Sequence, residues 1–566
     1  MEEIKQNLVK ELPYGIQDFV TIMEQNFYYV DKTMYIPKLE REARNLFFIR
    51  PCRFGKSLMI NMLRAYYDVN MKERFPKLFG NLWIGKQPTP YQGVYQVMYF
   101  DFSKIGGKIE DLEENFNAYC NLCLDNFIGN YKRFYSPEFV QKVLRLSRAV
   151  DKLNAINMEA HDHGLLLYLI VDEYDNFTNV VLNEHGEKVY WALTLDDLTS
   201  GFNIGWHISI KKNFNQMLGF SEEDVRDLLT YYKQAGEIRS DEDVETMIED
   251  MKPWYDNYCF SEAALKTQSK VFNCDMVLYY VRNYMEMGEA PKQMLAPNTK
   301  TDYNKMKKLL QLDKLDGDRK GVLRTIIENG EIVGNIEESF PARELTKPDI
   351  FISLLFYYGM LTIKDTFGDQ LLLTIPNNNV RKQYYNYLLE QYQDENALNT
   401  LNLKTLFTYM AFNGKWQDAL EYMAKAYAEV SSVRDGIEAE RNLQGFFMAY
   451  LSLNNYYYTA PELELNHGYC DFFLLPDLTH YATKHSYILE LKVLSKKEWG
   501  EEQKVQNADG TEYIITKAEK QWRDAEAQIR HYAIAPRVEA LRQGTQLHKI
   551  IMQFEGWELK RMSEIE

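Results

Sequence analysis

The sequence predicts an α/β chain: a doubly wound parallel sheet at the N-terminus, a helical middle, and a second, smaller α/β domain at the C-terminus. Three observations carry this. Short apolar runs alternate with helical stretches over the first ~200 residues. From Ser221 the pattern turns helical. Over the last ~135 residues it switches again, to helix, strand, strand, helix, strand.

Leu46-Phe47-Phe48-Ile49 is a short apolar run that leads through Gly55-Lys56-Ser57 into a helical stretch, Leu58 to Tyr67. Val97 to Phe102 and Leu165 to Val171 read as further buried strands. Ser221 followed by Glu222-Glu223-Asp224 is a helix start, with a capping hydroxyl and an acidic first turn. Thr346 to Tyr358 reads as an apolar helix, followed by two short strands about a Phe367-Gly368-Asp369 turn. That is the order of a winged-helix module. These changes of pattern set four expected regions: 1–220, 221–300, 301–430 and 431–566.

Of the 566 residues, 46% are hydrophobic and 26% charged, enough apolar material for real cores, so a disordered or fibrous chain is excluded. The net charge of −17 argues against a generic nucleic-acid coat, though a local basic groove is compatible with it. Six scattered cysteines do not make a disulfide framework, and Cys120 and Cys123 read as two buried thiols of a helix. His161-Asp162-His163 reads as a solvated turn. Met1 to Gln6 is charged and lacks the apolar core of a signal peptide. The run Leu165–Val171 falls far short of the ~20 residues that span a bilayer. The expectation is a cytoplasmic protein with no membrane contact.

Gly55-Lys56-Ser57 between a buried strand and a helix is the context of a phosphate-binding loop, where backbone N–H groups at a helix N-terminus cradle phosphate oxygens. Lys56 would reach the phosphates of ATP and Ser57 would ligate Mg²⁺. The tripeptide alone arises by chance in about one of three chains this long. The strand ending in Asp172-Glu173 changes the weight: Asp172 suits the Mg²⁺ shell and Glu173 can orient or deprotonate a water. Near the C-terminus, Asp471 begins one apolar strand, and Glu490 and Lys492 lie on one face of another. Two carboxylates and a lysine at adjacent strands suit metal-assisted phosphodiester cleavage, with Asp471 and Glu490 binding Mg²⁺.

Arg50-Pro51-Cys52-Arg53-Phe54-Gly55-Lys56-Ser57, Asp172-Glu173-Tyr174-Asp175 and Tyr255-Asp256-Asn257-Tyr258 resemble the AAA-ATPase-like proteins that carry a fused nuclease-like domain. The helix, Asp strand, Glu-x-Lys strand and helix of the last domain resemble the PD-(D/E)XK nuclease superfamily. The resemblance implies a P-loop NTPase-like fold with a helical lid, then a restriction-endonuclease-like domain. Arg53 joins Gly55, Lys56, Ser57 and Asp172 as nucleotide-binding residues. Gln528 matches the polar position of the last helix, and Glu440 the accessory acid.

Two departures stand out. Arg50 occupies the first glycine position of a standard Walker A loop. Between Trp191 and Asn203, moreover, no apolar strand with a polar tip follows the Walker B strand. The expected function is therefore ATP binding with weak or slow hydrolysis, coupled to a Mg²⁺-dependent nuclease acting on nucleic acid, DNA first. A homo-oligomer or protein partner is part of that expectation. The alternative is a non-cleaving, nucleotide-dependent switch or scaffold. Residues 431–566 carry 16 Lys/Arg against 21 Asp/Glu, which favours the alternative.

Overall fold

The computed structural model describes residues 9–173, 206–267, 270–296, 319–338, 348–393, 399–431, 439–465, 468–506 and 512–566. The chain divides into two compact units. The first is built chiefly from residues up to Glu289 and from Ile332–Asn377, the second chiefly from Asn378–Glu566.

In the first unit, β1 (Leu46–Phe47) leads into helix α1 (Lys56–Tyr67). Strand β2 (Gln96–Asp101) runs parallel to β3 (Leu167–Asp172), in a register that sets Asp101 beside Asp172. Between them come α2 (Ile109–Asn130) and α3 (Ala149–Asp162). Met98 and Phe100 of β2 share a core with Leu124, Phe127, Ile128 and Ile156 of these helices. Parallel strands need such a crossover, so the predicted strand–helix alternation is realised here.

The stretch Trp191–Asn203, on which a missing strand was inferred, lies outside the described residues. Just beyond it, β4 (Trp206–His207) pairs parallel with β1, Leu46 beside Trp206 and Phe47 beside His207. Ile208 and Ser209 follow, both buried. A strand with a polar tip therefore does stand next to the P-loop strand.

Helix α4 (Glu222–Gln234) starts as expected, with Ser221 and Asp224 forming a reciprocal capping box. Helices α5 (Val244–Tyr255) and α6 (Cys274–Met287) follow. Then come α7 (Arg319–Asn329), most of which belongs to the second unit, and in the first unit β5 (Glu331–Gly334), α8 (Pro348–Tyr357) and a hairpin, β6 (Thr362–Phe367) and β7 (Gln370–Thr374). The three strands form a sheet in the order β5-β7-β6. Ile350, Phe351, Ile352, Leu355, Phe356 and Tyr357 of α8 are all buried, as the continuous apolar run of this helix requires.

The second unit holds α9 (Asn378–Gln393), α10 (Thr400–Asn413), α11 (Gln417–Ser431) and α12 (Ala439–Leu451) before a five-stranded sheet. Its strands are β8 (Tyr457–Leu465), β9 (Gly468–Pro476), β10 (His485–Leu494), β13 (Gln546–Glu555) and β14 (Glu558–Glu564), ordered β14-β13-β10-β9-β8. Only β10 and β13 run parallel. Helix α13 (Lys517–Ala533) covers one face, with Trp522, Ala525 and Ile529 on Phe473, Ile488 and Ile551. The polar stretch after Lys492 contains a hairpin, β11 (Glu502–Gln506) with β12 (Glu512–Thr516).

The unit begins well before residue 431. Lys484 donates its N–H to the Ala411 carbonyl at 3.0 Å and the Tyr487 hydroxyl bonds the Met410 carbonyl at 2.7 Å, so α10 packs with the sheet. Among the described residues no helix is long and apolar enough to cross a membrane.

Candidate nucleotide and metal sites

Gly55 caps α1 at φ +92, a left-handed conformation that disfavours any side chain, and no side chain caps the start of the helix. The Lys56 amine folds back onto the carbonyls of Arg50 (2.8 Å) and Pro51 (3.1 Å). At the end of β3, Asp172 is buried, and its Oδ2 accepts the Tyr99 hydroxyl at 3.5 Å. Its Oδ1 accepts the Glu173 N–H at 3.0 Å. Burial raises the Asp172 pKa, the Ser57 and Glu173 hydrogen bonds oppose that, and the neighbouring Asp101 adds to it. Glu173 itself sits at φ +50. The P-loop and Walker B residues predicted from sequence are thus brought together, with Lys56 near enough to lower the Asp172 pKa.

Arg53 points elsewhere. Its guanidinium pairs with Asp275 at 3.1 Å, and the Cys274 thiol bonds its carbonyl at 3.1 Å, so the start of α6 lies against the loop. Arg50, the residue in the first glycine position, turns into the core and is 3% exposed. It donates to the carbonyls of Ile49 (3.0 Å), Ser209 (2.7 Å) and Phe214 (2.9 Å), between the rings of Phe48 and Phe260. Its side chain is structural and leaves the phosphate side of the loop clear.

In the second unit the β9–β10 ladder runs through Leu489 beside Phe472 and stops there. The next pair in that register would be Glu490 and Asp471, where two carboxylates meet instead of two apolar side chains. Asp471 Oδ1 accepts the Gln444 side-chain amide at 2.5 Å and Oδ2 accepts the Leu491 N–H at 2.6 Å. Glu490 is 1% exposed; its Oε1 accepts Lys492 Nζ at 2.6 Å, and its buried Oε2 has no hydrogen-bond donor. Burial, then the Asp471 charge, pushes the Glu490 carboxyl up to about 7, with Lys492 opposing. Burial also raises Asp471, against the pull of Lys492.

Asp471, Glu490 and Lys492 converge as expected. Gln528 bonds the Tyr532 hydroxyl, which in turn donates to the Tyr469 carbonyl at 2.8 Å, two residues before Asp471. Glu440 lies in the first turn of α12, but its side chain is outside the described residues, as is His467. The helix residue that reaches Asp471 is Gln444, one turn further on. Sequence reading missed it because a single glutamine on an amphipathic helix carries no signal of its own. Among the described residues no cluster of three His, Cys, Asp or Glu is placed to hold a metal, so His161 and His163 form no such site; both side chains are largely exposed. All six cysteines are free thiols.

Residues 13–220 match the family described as predicted AAA-ATPase, and residues 438–564 match the PD-(D/E)XK nuclease superfamily. An uncharacterized protein of the vnfD 5' region of Azotobacter chroococcum mcd 1 is 26% identical over 235 residues, 38% of this chain. The chain spans only 44% of the length of that relative. No solved structure matches the present chain. The chain thus joins a predicted AAA-ATPase domain over residues 13–220 to a PD-(D/E)XK nuclease superfamily domain over residues 438–564.

Proposed function

We propose that the protein is an ATP-binding P-loop protein whose C-terminal domain is a metal-dependent nuclease acting on nucleic acid, DNA first. The observation that carries the nuclease part is the buried Glu490 Oε2 without a donor, beside an Asp471 held in place by Gln444 and Leu491. A desolvated carboxylate oxygen with no hydrogen-bond donor is costly unless a cation faces it. Oxygen-only donors of this kind fit Mg²⁺, which Asp471 and Glu490 would hold. Bound there, the metal supplies a lowered water pKa and neutralises charge at phosphorus. Lys492 keeps Glu490 oriented and places a positive charge beside the two carboxylates.

For the nucleotide, Lys56 would leave the Arg50 and Pro51 carbonyls for the phosphates, while Ser57 and Asp172 would hold Mg²⁺ and Glu173 would serve the attacking water. We read α8 with the β5-β7-β6 sheet as a winged-helix-like module. Its central helix is buried on every side, which favours a packing role over reading a DNA groove. The test is cleavage of single- and double-stranded DNA with Mg²⁺ or Mn²⁺, comparing wild type with Asp471→Asn and Glu490→Gln. Metal-dependent cutting lost in both variants supports the reading. Cutting that survives both overturns it, and no metal binding by calorimetry favours the non-cleaving alternative.

A further inference from the structure

The C-terminal end of α8 and the turn after it pack against the P-loop and the residues around it. Phe356 lies 6.1 Å from Phe260, whose ring also carries the Arg50 guanidinium at 4.2 Å and the edge of Phe54 at 5.5 Å. Tyr357 packs edge-on against His207 of β4 at 5.8 Å. Gly359, at φ +76, lies so close to Pro51 that a Cβ built on it would fall 2.6 Å from Pro51 Cγ and 2.7 Å from Pro51 Cβ. Such distances are well inside van der Waals contact, so the Pro51 ring rests directly on the glycine backbone.

Two physical features turn this contact into a lever. Proline has a fixed φ, so a push on its ring is passed to the adjoining peptide units instead of being absorbed by rotation. The carbonyls of those units, Arg50 and Pro51, are the acceptors that hold the Lys56 amine. Behind Gly359, α8 is buried on all sides and cannot retreat without opening its core.

We propose that the turn at Gly359 is a positioning element of the nucleotide site: it sets the P-loop from behind and so fixes where Lys56 points, although no atom of residue 359 belongs to the phosphate cradle. The proposal rests on the nucleotide reading given above. It explains why the helix and hairpin that follow the lid share a unit with the P-loop instead of standing apart.

The experiment compares full-length wild type with Gly359→Ala and Gly368→Ala. Gly368, in the β6–β7 turn, has a similar φ of +67 but nothing within 4 Å of a built Cβ, so it carries the same backbone strain without the push. Two quantities are read: the rise in melting midpoint with Mg-ATP, and the rate at which the Lys56 amine is acetylated without nucleotide, followed by mass spectrometry. Gly359→Ala is expected to weaken nucleotide binding about tenfold and to speed Lys56 acetylation. Gly368→Ala should match wild type in both.

Equal behaviour of the two glycine variants overturns the proposal. If no protein, wild type included, responds to Mg-ATP, the nucleotide reading fails while the acetylation rates still decide the positioning role. Should Gly359→Ala not fold, Pro51→Gly alone carries the test, since loss of the contact should also speed Lys56 acetylation, and an unchanged rate counts against the lever.

Discussion

The Arg50 guanidinium donates to the Ser209 carbonyl at 2.7 Å, and the Ser209 hydroxyl accepts the Ile49 N–H at 2.7 Å. Arg50 thus ties the chain that leaves β1 to Ser209, two residues after β4. Burial pulls the Arg50 pKa down to about 9, which still leaves it cationic at neutral pH. Cation–π contact with Phe48 and Phe260 replaces part of the lost hydration.

Arg50→Gly, which would restore the usual Walker A residue, is therefore expected to harm the protein. It leaves the Ser209 carbonyl without its donor, takes from the Phe214 carbonyl one of its two donors (the Met217 N–H remains), and opens a cavity between two rings, a loss of about 3–5 kcal/mol. Arg50→Lys should recover little, because an ammonium cannot fork to two separate carbonyls in the same way. Urea denaturation measures both. A variant as stable as wild type with glycine at position 50 would show that the tie is incidental.

Gln444 offers a second check. It occupies one oxygen of Asp471 while the Leu491 N–H occupies the other, so the carboxylate has a defined orientation before any cation arrives. Groups that orient a metal ligand typically matter by about 10–100-fold in affinity or activity. Gln444→Ala should weaken Mn²⁺ binding by about tenfold or more in calorimetry, with the fold intact by circular dichroism. Gln444→Glu removes the amide donor and adds a charge that repels Asp471, so it should not rescue. Unchanged Mn²⁺ affinity in Gln444→Ala would mean that Leu491 alone suffices.

Much of this arrangement was legible in the sequence because the chemistry sits where the pattern is regular. Asp172 closes a run of apolar residues, and Glu490 and Lys492 interrupt another at the strand period, so each stands out against its neighbours. Strand β4 leaves no such mark for the opposite reason: two residues, Trp206 and His207, are too few to show a period. Helix α11 has a periodic apolar face and α10 carries apolar residues all round, but neither pattern says which surface the helix will meet. Their place with the C-terminal sheet is visible only in contacts such as Tyr487 with Met410. The Gly359–Pro51 contact joins residues about 300 apart and leaves no local mark.

Asp256 gives a prediction that turns on sign. It follows α5, is 5% exposed, and its Oδ1 has no hydrogen-bond partner. Burial pushes its carboxyl from 3.8 up to about 6, with the Asn257 N–H and the Lys270 and Lys252 charges only partly offsetting this. Between those two values the folded chain holds the proton that the unfolded chain has released. Stability from this group is thus full below 3.8, falls as pH rises, and is lost above about 6. Asp256→Asn keeps the size of the side chain and cannot ionise. It should be more stable than wild type at pH 8, by an amount on the order of 2–3 kcal/mol, and the gap should close as the pH is lowered toward 4. Urea denaturation across that range reads the difference directly. An Asn variant that is less stable than wild type at pH 8 would mean that a cation already compensates the carboxylate, and the buried charge would then have to be counted as a favourable contact and not as a cost.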